Sequence, residues 1–274
     1  MGHILVTGGT GTLGSVVVTQ LRDAGCNVRV LSRHSREATE GIEYVASDLT
    51  TAEGVQPAVD GVEVIVHLAG SQKGDDVKTL NLVRAASRVG TPHLVYISVV
   101  GADRVPVVSG IDRAMFGYYA SKRAAERVVA GSGLPWTTLR ATQFHELMLL
   151  TAQFMAKLPV LPVLAGFRFQ PVAAAEVATR LVELALGAPS GLVPDIGGPK
   201  VYGMDEMLRE YLRAAGKRRP IIPVWAPGKA ARAIRAGANL TPERAVGKQT
   251  WEKFLAERVS SSSGSESRLP QRMR

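Results

Sequence analysis

A tyrosine and a lysine lie four residues apart in the segment Tyr118-Tyr119-Ala120-Ser121-Lys122. On a helix, positions i and i+4 share a face, so both side chains can enter one cleft. An ammonium beside a phenol favours the phenolate and lowers the phenol's pKa. The spacing therefore predicts Tyr118 as a proton donor to a carbonyl oxygen, assisted by Lys122. Tyr119 points about 100° away around the helix and is expected to pack or stack.

A glycine-rich stretch, Gly8-Gly9-Thr10-Gly11-Thr12-Leu13-Gly14, directly follows an apolar run. Glycines at positions 8, 11 and 14 permit a tight turn, a close approach of backbone amides to a pyrophosphate, and packing of the next helix on a sheet. The N-terminus of that helix offers N–H groups and partial positive charge to phosphate. The residues predicted to bind a dinucleotide here are Gly8, Thr10, Gly11, Thr12 and Leu13.

The end of the second predicted strand decides which dinucleotide is expected. An acid about 20 residues after the glycines would bind the ribose hydroxyls of NAD. The chain instead has Ser32-Arg33-His34-Ser35-Arg36, with Arg33 19 residues after Gly14. An arginine there can form a forked, charge-assisted pair with a 2′-phosphate, so NADP(H) is the expected cofactor. The alternative is a solvated Arg33; Arg36 is a possible second contact.

The third and fourth predicted strands end in Asp48-Leu49 and in His67-Leu68-Ala69-Gly70. Asp48 could accept a hydrogen bond from the adenine amino group or could cap a helix that starts near Thr51. Small residues after His67 would let the backbone run along the cofactor. The further predicted cofactor contacts are Asp48, Leu49, Leu68, Ala69, Gly70 and, at the nicotinamide ribose, Lys122. No second His or Cys lies at metal-ligand spacing from His67, so no metal site is expected.

The elements that must position these residues alternate over the first 140 residues. Short apolar runs and amphipathic stretches follow one another, which is typical of a parallel sheet flanked by helices. Strands are predicted at His3–Thr7, Asn27–Ser32, Ile42–Ala46, Glu63–His67, His93–Ile97 and Trp136–Arg140. Helices are predicted at Leu13–Ala24, Ala52–Val59, Lys78–Val89 and Tyr118–Gly131. The Tyr118/Lys122 pair thus lies on the helix between the fifth and sixth strands.

After Gln143 the alternation degrades, and helices are predicted between loops rich in Pro and Gly. They span Glu146–Leu158, Ala173–Leu186, Met204–Ala214 and Thr250–Val259. The predicted fold class is α/β, a Rossmann-type doubly wound parallel sheet with a small, mainly helical C-terminal substrate cap. The expected domains are a dinucleotide-binding domain (1–145), a cap partly interleaved with the sheet (146–259) and a Ser-rich, disordered tail (260–274).

Three stretches together resemble a known family. They are Gly8–Gly14, Tyr118–Lys122 with Glu126, and Leu139–His145. The chain resembles the atypical short-chain dehydrogenase/reductases, and within them the NmrA-like NAD(P)-binding proteins. This resemblance implies a Rossmann fold, NADP(H) and an active site with Tyr118 and Lys122. The subgroup contains NAD(P)H-dependent quinone or azo-type reductases as well as NAD(P)-sensing regulators.

The chain departs from the family at its catalytic hydroxyl, which follows the fifth strand. That stretch is Ile97-Ser98-Val99-Val100-Gly101 here. Ser98 is the available hydroxyl and is taken as the third catalytic residue, but Val99 or Val100 aligns with the family position. Two functions are therefore open: an NADPH-dependent oxidoreductase that transfers hydride to a quinone or carbonyl, or a non-catalytic NADP(H) sensor.

The substrate is expected over the nicotinamide, between the Tyr118 helix and the cap. The predicted substrate contacts are Met115, Gln143, Phe144 and His145, and further candidate walls are Phe116, Thr142, Phe154 and Phe167. Their apolar and aromatic character favours a planar or hydrophobic acceptor. Phe154 and Phe167 equally fit a plain core, and His145 equally fits a hydrogen-bonded core histidine.

Composition limits the remaining possibilities. The 274 residues are 46% hydrophobic, which excludes wholesale disorder, and they carry 33 Lys+Arg against 24 Asp+Glu, a net charge of +9. No long apolar run predicts a membrane span, and a single cysteine without a secretory signal fits the cytoplasm. The basic excess between Arg209 and Arg258 could contact nucleic acid or an anionic membrane, but it is interpreted as a solvated face, because its few aromatic residues do not alternate with the basic ones. The expected partner is a small-molecule substrate, and the expected state is a monomer or homodimer.

Overall fold

Apolar runs of the sequence form the strands of the fold. The computed structural model describes residues 3–39, 41–71 and 74–263. The strands are β1 (His3–Thr7), β2 (Asn27–Ser32), β3 (Ile42–Ala46), β4 (Val62–His67), β5 (His93–Val99), β6 (Trp136–Ala141), β7 (Leu161–Leu164), β8 (Arg168–Phe169), β9 (Gly191–Leu192), β10 (Tyr202–Gly203) and β11 (Ile221–Val224). Every residue of β5 is buried, as expected for a parallel strand covered on both faces.

Seven of these strands form one parallel sheet in the order β3-β2-β1-β4-β5-β6-β9. The chain begins in the interior at β1, reaches one edge through β2 and β3, and returns to β4 on the other side of β1. The strand order therefore reverses between β1 and β4. In open α/β sheets, ligands bind in the crevice outside the carboxyl ends of the strands at such a reversal.

Helices cover both faces of this sheet. They are α1 (Thr12–Asp23), α2 (Val55–Val59), α3 (Asp75–Val89), α4 (Gly110–Ala130), α5 (His145–Met155), α6 (Ala174–Leu186), α7 (Met204–Ala214), α8 (Lys229–Arg235) and α9 (Trp251–Ser263). α1 and α6 pack together over one face, and α3 packs on α4 over the other. Each face thereby buries its own apolar core, with Val17 and Leu181 in one and Leu82 and Val129 in the other. This arrangement confirms the predicted fold class.

The residues after β6 add two smaller apolar clusters. Trp251 is fully buried in the first, which joins α5, α7 and α9. Phe116 and Phe167 meet in the second, together with residues of α8. Two short sheets, β10-β8 and β11-β7, accompany these helices. Because α6 and β9 return to the central sheet, residues 146–259 are interleaved with it, while the domain boundaries themselves stay a prediction.

The helix that carries the tyrosine and lysine differs from its prediction. α4 begins at Gly110, eight residues before the predicted start at Tyr118, and contains a kink at Phe116 (φ −131°, ψ 15°). Its first segment starts at a capping box in which Ser109 and Asp112 exchange hydrogen bonds. The kink separates this segment from the longer one, so the apolar periodicity that supported the prediction covers only the second segment.

Several short elements were missed entirely, namely β7 to β11 and α8. These strands are two to four residues long, and α8 has seven residues. Elements this short leave little hydrophobic periodicity in the sequence. Among the described residues, no helix combines the length and apolar character needed to cross a membrane. The predicted tail lies outside the described residues from 264 onward, and α9 continues to Ser263.

Candidate cofactor and active site

The glycine-rich turn after β1 is fixed by close backbone contacts. Gly8 has φ +70°, and a Cβ there would lie 2.8 Å from the backbone nitrogen of Ala69. A Cβ on Gly14 would overlap the carbonyl oxygen of Gly8. The Gly11 N–H donates to that same oxygen at 3.0 Å. Neither Gly8 nor Gly14 can therefore carry a side chain without moving the turn.

The N-terminus of α1 is open to an anion. Its N-cap residue, Gly11, supplies no side-chain hydrogen bond, and no acid lies in the first turn. Unpaired N–H groups and the positive end of the helix dipole therefore face the turn. Thr10 and Thr12 are exposed beside it, whereas Leu13 is buried in the core and can offer only its backbone.

A cavity of about 440 Å³ lies where the strand order reverses. Nine predicted cofactor residues line it: Gly8, Thr10, Gly11, Arg33, Asp48, Leu49, Leu68, Ala69 and Gly70. Thr12, Leu13 and Lys122, also predicted, do not line it. The lining residues that the sequence analysis missed are Leu31, Ser32, Ser47, Thr50, Ser71 and Lys78. Most of these adjoin predicted residues at strand ends, but nothing in the sequence marks Lys78.

Two cations and one carboxylate lie around this cavity. Arg33 is exposed at its rim, and the Lys78 ammonium donates to the Ser71 hydroxyl at 2.7 Å. Asp48 accepts the Thr50 N–H at 2.7 Å, and this hydrogen bond lowers the pKa of its carboxyl. Asp48 thus holds a turn while it lines the cavity, and it does not cap α2, whose N-cap is Gly54.

The predicted second arginine contact is not at the cavity. The Arg36 guanidinium lies 6.0 Å from the centre of the Tyr44 ring. Arg33 is therefore the arginine available to a phosphate at the end of β2. Three features together fit a dinucleotide: the turn with no room for a Cβ at Gly8 or Gly14, the uncapped N-terminus of α1, and the cations at the cavity.

The structure brings Tyr118 and Lys122 together, with Lys122 next to Gly70 of the cavity lining. The Lys122 ammonium lies 5.8 Å from the centre of the Tyr118 ring. A Cβ on Gly70, which lines the cavity, would lie 3.2 Å from the same ammonium. Tyr118 is 39% exposed.

Lys122 has a buried carboxylate partner that the sequence analysis missed. Its ammonium lies 3.1 Å from an Asp75 carboxylate oxygen, and both side chains are at most 4% exposed. It also donates to the Tyr96 hydroxyl at 3.4 Å and to the Ile97 carbonyl at 3.3 Å. Asp75 begins α3, where an acid in the first turn has the ordinary function of stabilising the helix dipole, so its sequence position gave no catalytic signal.

Burial and this carboxylate together overturn the expected effect of Lys122 on the pKa of Tyr118. Desolvation, followed by the negative charge of Asp75, raises the pKa of Tyr118 well above its usual range. Desolvation also lowers the pKa of Lys122, against the opposing effect of Asp75. The prediction of a lowered phenol pKa is therefore wrong. Tyr118 is a protonated phenol at neutral pH and keeps a proton to donate.

Hydrogen bonds hold Asp75 in place from two sides. The Ser71 N–H donates to its carboxylate at 2.7 Å, and its own N–H donates to the Ser121 hydroxyl at 3.1 Å. Ser121 precedes Lys122 on α4. The start of α3 is thereby joined to the turn of α4 that carries the tyrosine and lysine.

His67 is a structural residue rather than a ligand. The Thr7 hydroxyl, which accepts the N–H groups of Leu68 and Ala69, contacts His67 Nδ1 at 2.7 Å. Nε2 lies 3.0 Å from the Thr79 hydroxyl, which donates to the Asp75 carbonyl. Both lone pairs of the Thr7 hydroxyl are used, so this hydroxyl donates to Nδ1 and the ring is neutral. Burial lowers the pKa of His67 to about 3.

Ser98 is buried near the pair, and its hydroxyl has no hydrogen-bond partner within the described part of the chain. Lys122 contacts the carbonyl of the preceding residue, Ile97. Val99 and Val100, the alternatives to Ser98 for the family position, are buried and apolar. The only polar side chain in this stretch of β5 that could face a bound molecule is thus Ser98.

Two of the predicted substrate residues lie beside the Tyr118/Tyr119 turn. Met115 is 44% exposed, one turn before Tyr118 on α4. Gln143 hydrogen-bonds to Tyr119, and this bond partly opposes the burial that raises the pKa of Tyr119 to about 12. Tyr119 itself meets the Tyr118 ring edge-on at 6.0 Å between ring centres, which is the packing role expected for it.

The other predicted substrate residues lie elsewhere. His145 is fully buried, stacks on Trp251 and Phe254, and hydrogen-bonds to the Gln249 carbonyl at 3.0 Å, so the prediction of a substrate contact is corrected. Phe144 packs against the core under α1 and α6. α5 begins at His145, one residue before its predicted start at Glu146.

The remaining candidate walls divide in the same way. Phe116 and Phe167 pack against each other in the core, with 6.0 Å between ring centres. The Thr142 hydroxyl is buried and donates to the Gln170 carbonyl. Phe154 is 68% exposed on α5 and is neither core nor cleft wall. Within the described ranges, no group of three His, Cys, Asp or Glu side chains could hold a metal ion.

Comparison with known proteins identifies the family. The profile of the NAD(P)H-binding family matches residues 8–156. Over 221 residues the chain is 27% identical to the (4-alkanoyl-5-oxo-2,5-dihydrofuran-3-yl)methyl phosphate reductase of Streptomyces griseus, covering 78% of this chain and 74% of that protein. It is also 27% identical over 231 residues to an uncharacterized protein of Mycobacterium tuberculosis, covering 82% of this chain and 24% of that relative. The chain thus spans about a quarter of the length of that relative.

A solved structure shares the fold. The NADPH-dependent quinone oxidoreductase QOR2 of Escherichia coli, complexed with NADPH, superposes with a TM-score of 0.76 at 19% identity, over 93% of this chain and 99% of that one. The profile covers more than half of the chain, including the glycine turn, the cavity residues and the Tyr118/Lys122 pair. The expected resemblance is therefore confirmed: the chain belongs to the NAD(P)H-binding family and has its Rossmann-type fold.

Proposed function

We propose that this chain is an NADPH-dependent oxidoreductase that reduces a quinone or carbonyl acceptor, with Tyr118 as the proton donor. The observation that carries the proposal is the protonated Tyr118 phenol, on a partly exposed side chain beside the buried Lys122 ammonium, which adjoins Gly70 in the lining of the dinucleotide cavity. A phenol in this state can protonate the oxygen of an acceptor that receives a hydride.

Each site residue has a separate role in the proposed reaction. The N–H groups at the start of α1 bind the pyrophosphate, and Arg33 pairs with the 2′-phosphate. Lys122 holds the nicotinamide ribose hydroxyls and Asp75 fixes its ammonium. The cofactor, when bound, supplies the hydride. Tyr118 would give its proton to the acceptor oxygen, and the unpaired hydroxyl of Ser98 would be available to hydrogen-bond a bound molecule.

The choice of acceptor rests on the side chains around Tyr118. Met115 and the Tyr119 ring are apolar or aromatic, and Gln143 adds an amide that can hydrogen-bond. This combination suits a planar acceptor with carbonyl oxygens. QOR2, whose fold this chain shares, is a quinone oxidoreductase, and the Streptomyces relative is a reductase, which supports the same class.

The apolar residues at the family's hydroxyl position favour a second candidate function. Val99 and Val100 are buried, so no second hydroxyl follows Ser98 to polarise an acceptor. A chain that binds NADP(H) and transfers nothing would be a sensor. Independent measurements of NADPH binding and of acceptor turnover separate the two functions.

Tyr118→Phe tests the proposed function. NADPH consumption is followed by its absorbance against quinones, azo dyes and aromatic aldehydes, and the binding of NADPH and of NADH is measured for each variant. We expect turnover to fall by about 10²–10⁴-fold with NADPH binding retained, because the general acid is lost. Tyr44→Phe, on β3, is the matched control and should keep turnover within a few-fold.

Two outcomes would contradict the proposal in different ways. Equal turnover by Tyr118→Phe and the wild type would remove Tyr118 from the mechanism. Tight NADPH binding without turnover of any acceptor by the wild type would favour the sensor. Tighter binding of NADH than of NADPH would contradict the assignment of Arg33 to a 2′-phosphate.

A further inference from the structure

The segment 217–225, which we call the basic–apolar segment, has the sequence Lys-Arg-Arg-Pro-Ile-Ile-Pro-Val-Trp. It follows α7 and contains β11, and all of its residues except Ile221 are exposed. Within the described residues, β11 pairs only with β7, in parallel register. Neither the cofactor cavity nor the Tyr118 turn uses any part of it.

One face of this two-stranded sheet is apolar and open. Ile222 is 52% exposed and Val224 is 42% exposed, and their register partners on β7 are Pro162 and Leu164. The opposite face packs inward, with Leu161 and Val163 in the core. Adjoining exposed apolar side chains of this kind mark contact surfaces more often than isolated ones do.

Basic side chains border this apolar face. Lys217, Arg218 and Arg219 are exposed, and none of them forms an ion pair with a described side chain. The neighbouring Arg209 and Arg213 on α7 contact Asp205 and Glu210. All five cations line one surface cavity of about 650 Å³. Three uncompensated charges thus lie immediately before the apolar strand.

Trp225 ends the segment in a fixed position. Its ring is 67% exposed, and the Arg235 guanidinium lies 3.9 Å from the ring centre. Arg235 also donates to the Ala226 carbonyl at 2.9 Å, which anchors the guanidinium to the backbone. Tryptophan beside basic residues is enriched where one end of a side chain meets water and the other meets hydrocarbon.

The backbone of β11 disfavours a protein strand as the occupant. Leu161 and Ala165 donate to the carbonyls of Pro220 and Val224, so the alternate residues Ile221 and Pro223 face the free edge. Pro223 has no N–H, which interrupts the row of donors that an added strand requires. Nucleic acid is also a poor match, because Ile222 and Val224 can neither stack on bases nor contact phosphates.

We propose that the basic–apolar segment binds the surface of an anionic lipid bilayer reversibly. Negative headgroups complement Lys217, Arg218 and Arg219, and the boundary with the acyl chains accommodates Ile222, Val224 and Trp225. Ala226, the next residue, packs in the same cluster as Phe116 of α4. The docked face therefore adjoins the helix that carries Tyr118, but the inference does not depend on any redox reaction.

Vesicle sedimentation of the full chain tests this surface. We expect the protein to sediment with vesicles of phosphatidylcholine and phosphatidylglycerol in equal amounts, and to stay in solution with pure phosphatidylcholine. Binding should weaken as salt is added, because salt screens the headgroup attraction. No sedimentation with the anionic vesicles at low salt would overturn the proposal.

Two triple variants and their matched controls locate the site. Lys217→Glu/Arg218→Glu/Arg219→Glu should lower vesicle partitioning by more than about tenfold, whereas Arg84→Glu/Arg88→Glu/Arg127→Glu, with the same change in net charge, should have a much smaller effect. Ile222→Ser/Val224→Ser/Trp225→Ser should also release the protein. The equally exposed control Leu186→Ser/Leu192→Ser/Val246→Ser should not.

Each contrary outcome would assign the basic–apolar segment to another partner or to no specific partner. Equal losses in both charge variants would show that net charge alone drives binding, without a defined surface. A dimer that dissociates in the Ile222/Val224/Trp225 variant, without vesicle binding by the wild type, would assign this face to a second copy of the chain. Retention on duplex DNA without vesicle binding would assign the cations to nucleic acid. Each of these results would overturn the lipid assignment.

Discussion

At the scale of single residues, Lys122 has two neighbours, Tyr118 and Asp75, and they lead to opposite expectations for the pKa of Tyr118. Its i, i+4 relation to Tyr118 follows from the sequence, because helical spacing alone places both residues on one side of α4. Its contact with Asp75 does not follow, because 47 positions separate the two residues and the parallel crossover between β4 and β5 brings them together. A shift in the pKa of Tyr118 that is inferred from the tyrosine and lysine alone therefore has the wrong direction.

Asp75→Asn should remove the second-largest cause of the raised pKa of Tyr118, while burial, the largest cause, remains. Without the carboxylate, the Lys122 charge acts on Tyr118 unopposed, so we expect the pKa of Tyr118 to fall. The other charged or titratable groups near the pair are Lys78, Tyr96, Tyr119 and Glu126. Titration by phenolate absorbance should show one tyrosine ionising at lower pH in Asp75→Asn than in the wild type, and this change should vanish when Tyr118→Phe is added.

Asp76→Asn, on the next residue of the same helix turn, is the control and should leave the titration unchanged. A titration of Asp75→Asn identical to that of the wild type would show that the buried lysine loses its proton when its partner is removed. In that case Asp75 would keep Lys122 charged, and the predicted effect on the phenol would be wrong.

At the scale of elements, α4 is held at both ends by long-range contacts. Its first segment is joined to α8, because the Asp112 carboxylate accepts the Ala230 N–H at 3.1 Å. Its second segment is joined to β6 by Glu126, which accepts two hydrogen bonds from Arg140 at 2.7 and 2.8 Å. The strands could be predicted because continuous apolar runs define them. These cross-connections could not, since they depend on which elements become neighbours.

Glu126→Gln should destabilise the fold strongly. Glu126 and Arg140 are 8% and 7% exposed, so removing one charge leaves the other buried without its main partner. Breaking such a pair costs about 3–5 kcal/mol, and we expect the lower end because Asp103 still contacts Arg140 at 2.8 Å. Urea unfolding monitored by circular dichroism measures the change.

Arg123→Ala serves as the comparison, because it removes an exposed partner of the same carboxylate. Arg123 is 40% exposed and 3.5 Å from Glu126, so its loss should cost at most about 1 kcal/mol. Equal losses from the two substitutions would refute the assignment of the stability to the buried Arg140 contact.

At the scale of the whole molecule, most of the central sheet and the longer C-terminal helices could be predicted well, whereas the short C-terminal strands and α8 could not. The sheet is built from local apolar runs, three of which match β1, β2 and β3 residue for residue. The C-terminal third is built from short strands and from contacts between distant residues, such as His145 on Trp251. A histidine in such a stack has no sequence signature that distinguishes it from a ligand.

The stability of the whole fold should depend on pH through His67. Its folded pKa of about 3 lies below the usual 6.5, so acid protonates the unfolded chain first and stability falls as pH decreases below about 6.5. Between pH 7.5 and 5 this group should remove about 2 kcal/mol from the free energy of unfolding. Urea unfolding of the wild type and of His67→Gln at both pH values measures the difference.

His67→Gln should lower stability at pH 7.5 and flatten its dependence on pH, because glutamine can contact both threonines without titrating. His34→Gln, at an exposed histidine, should retain the slope of the wild type. An unchanged slope in His67→Gln would show that other groups dominate acid unfolding.

The kink of α4 at Phe116 has a consequence for how the specificity of this chain can be altered. Met115 lies before the kink and Tyr118 after it, so the proposed substrate contact and the proposed proton donor belong to separate segments of one helix. Recombination of residues 102–115 among related chains would exchange Met115, while Lys122 keeps its contact with Asp75 and Glu126 keeps its contact with Arg140. The kink at Phe116 is therefore a natural crossover point for recombination experiments that aim to change which acceptors the protein reduces.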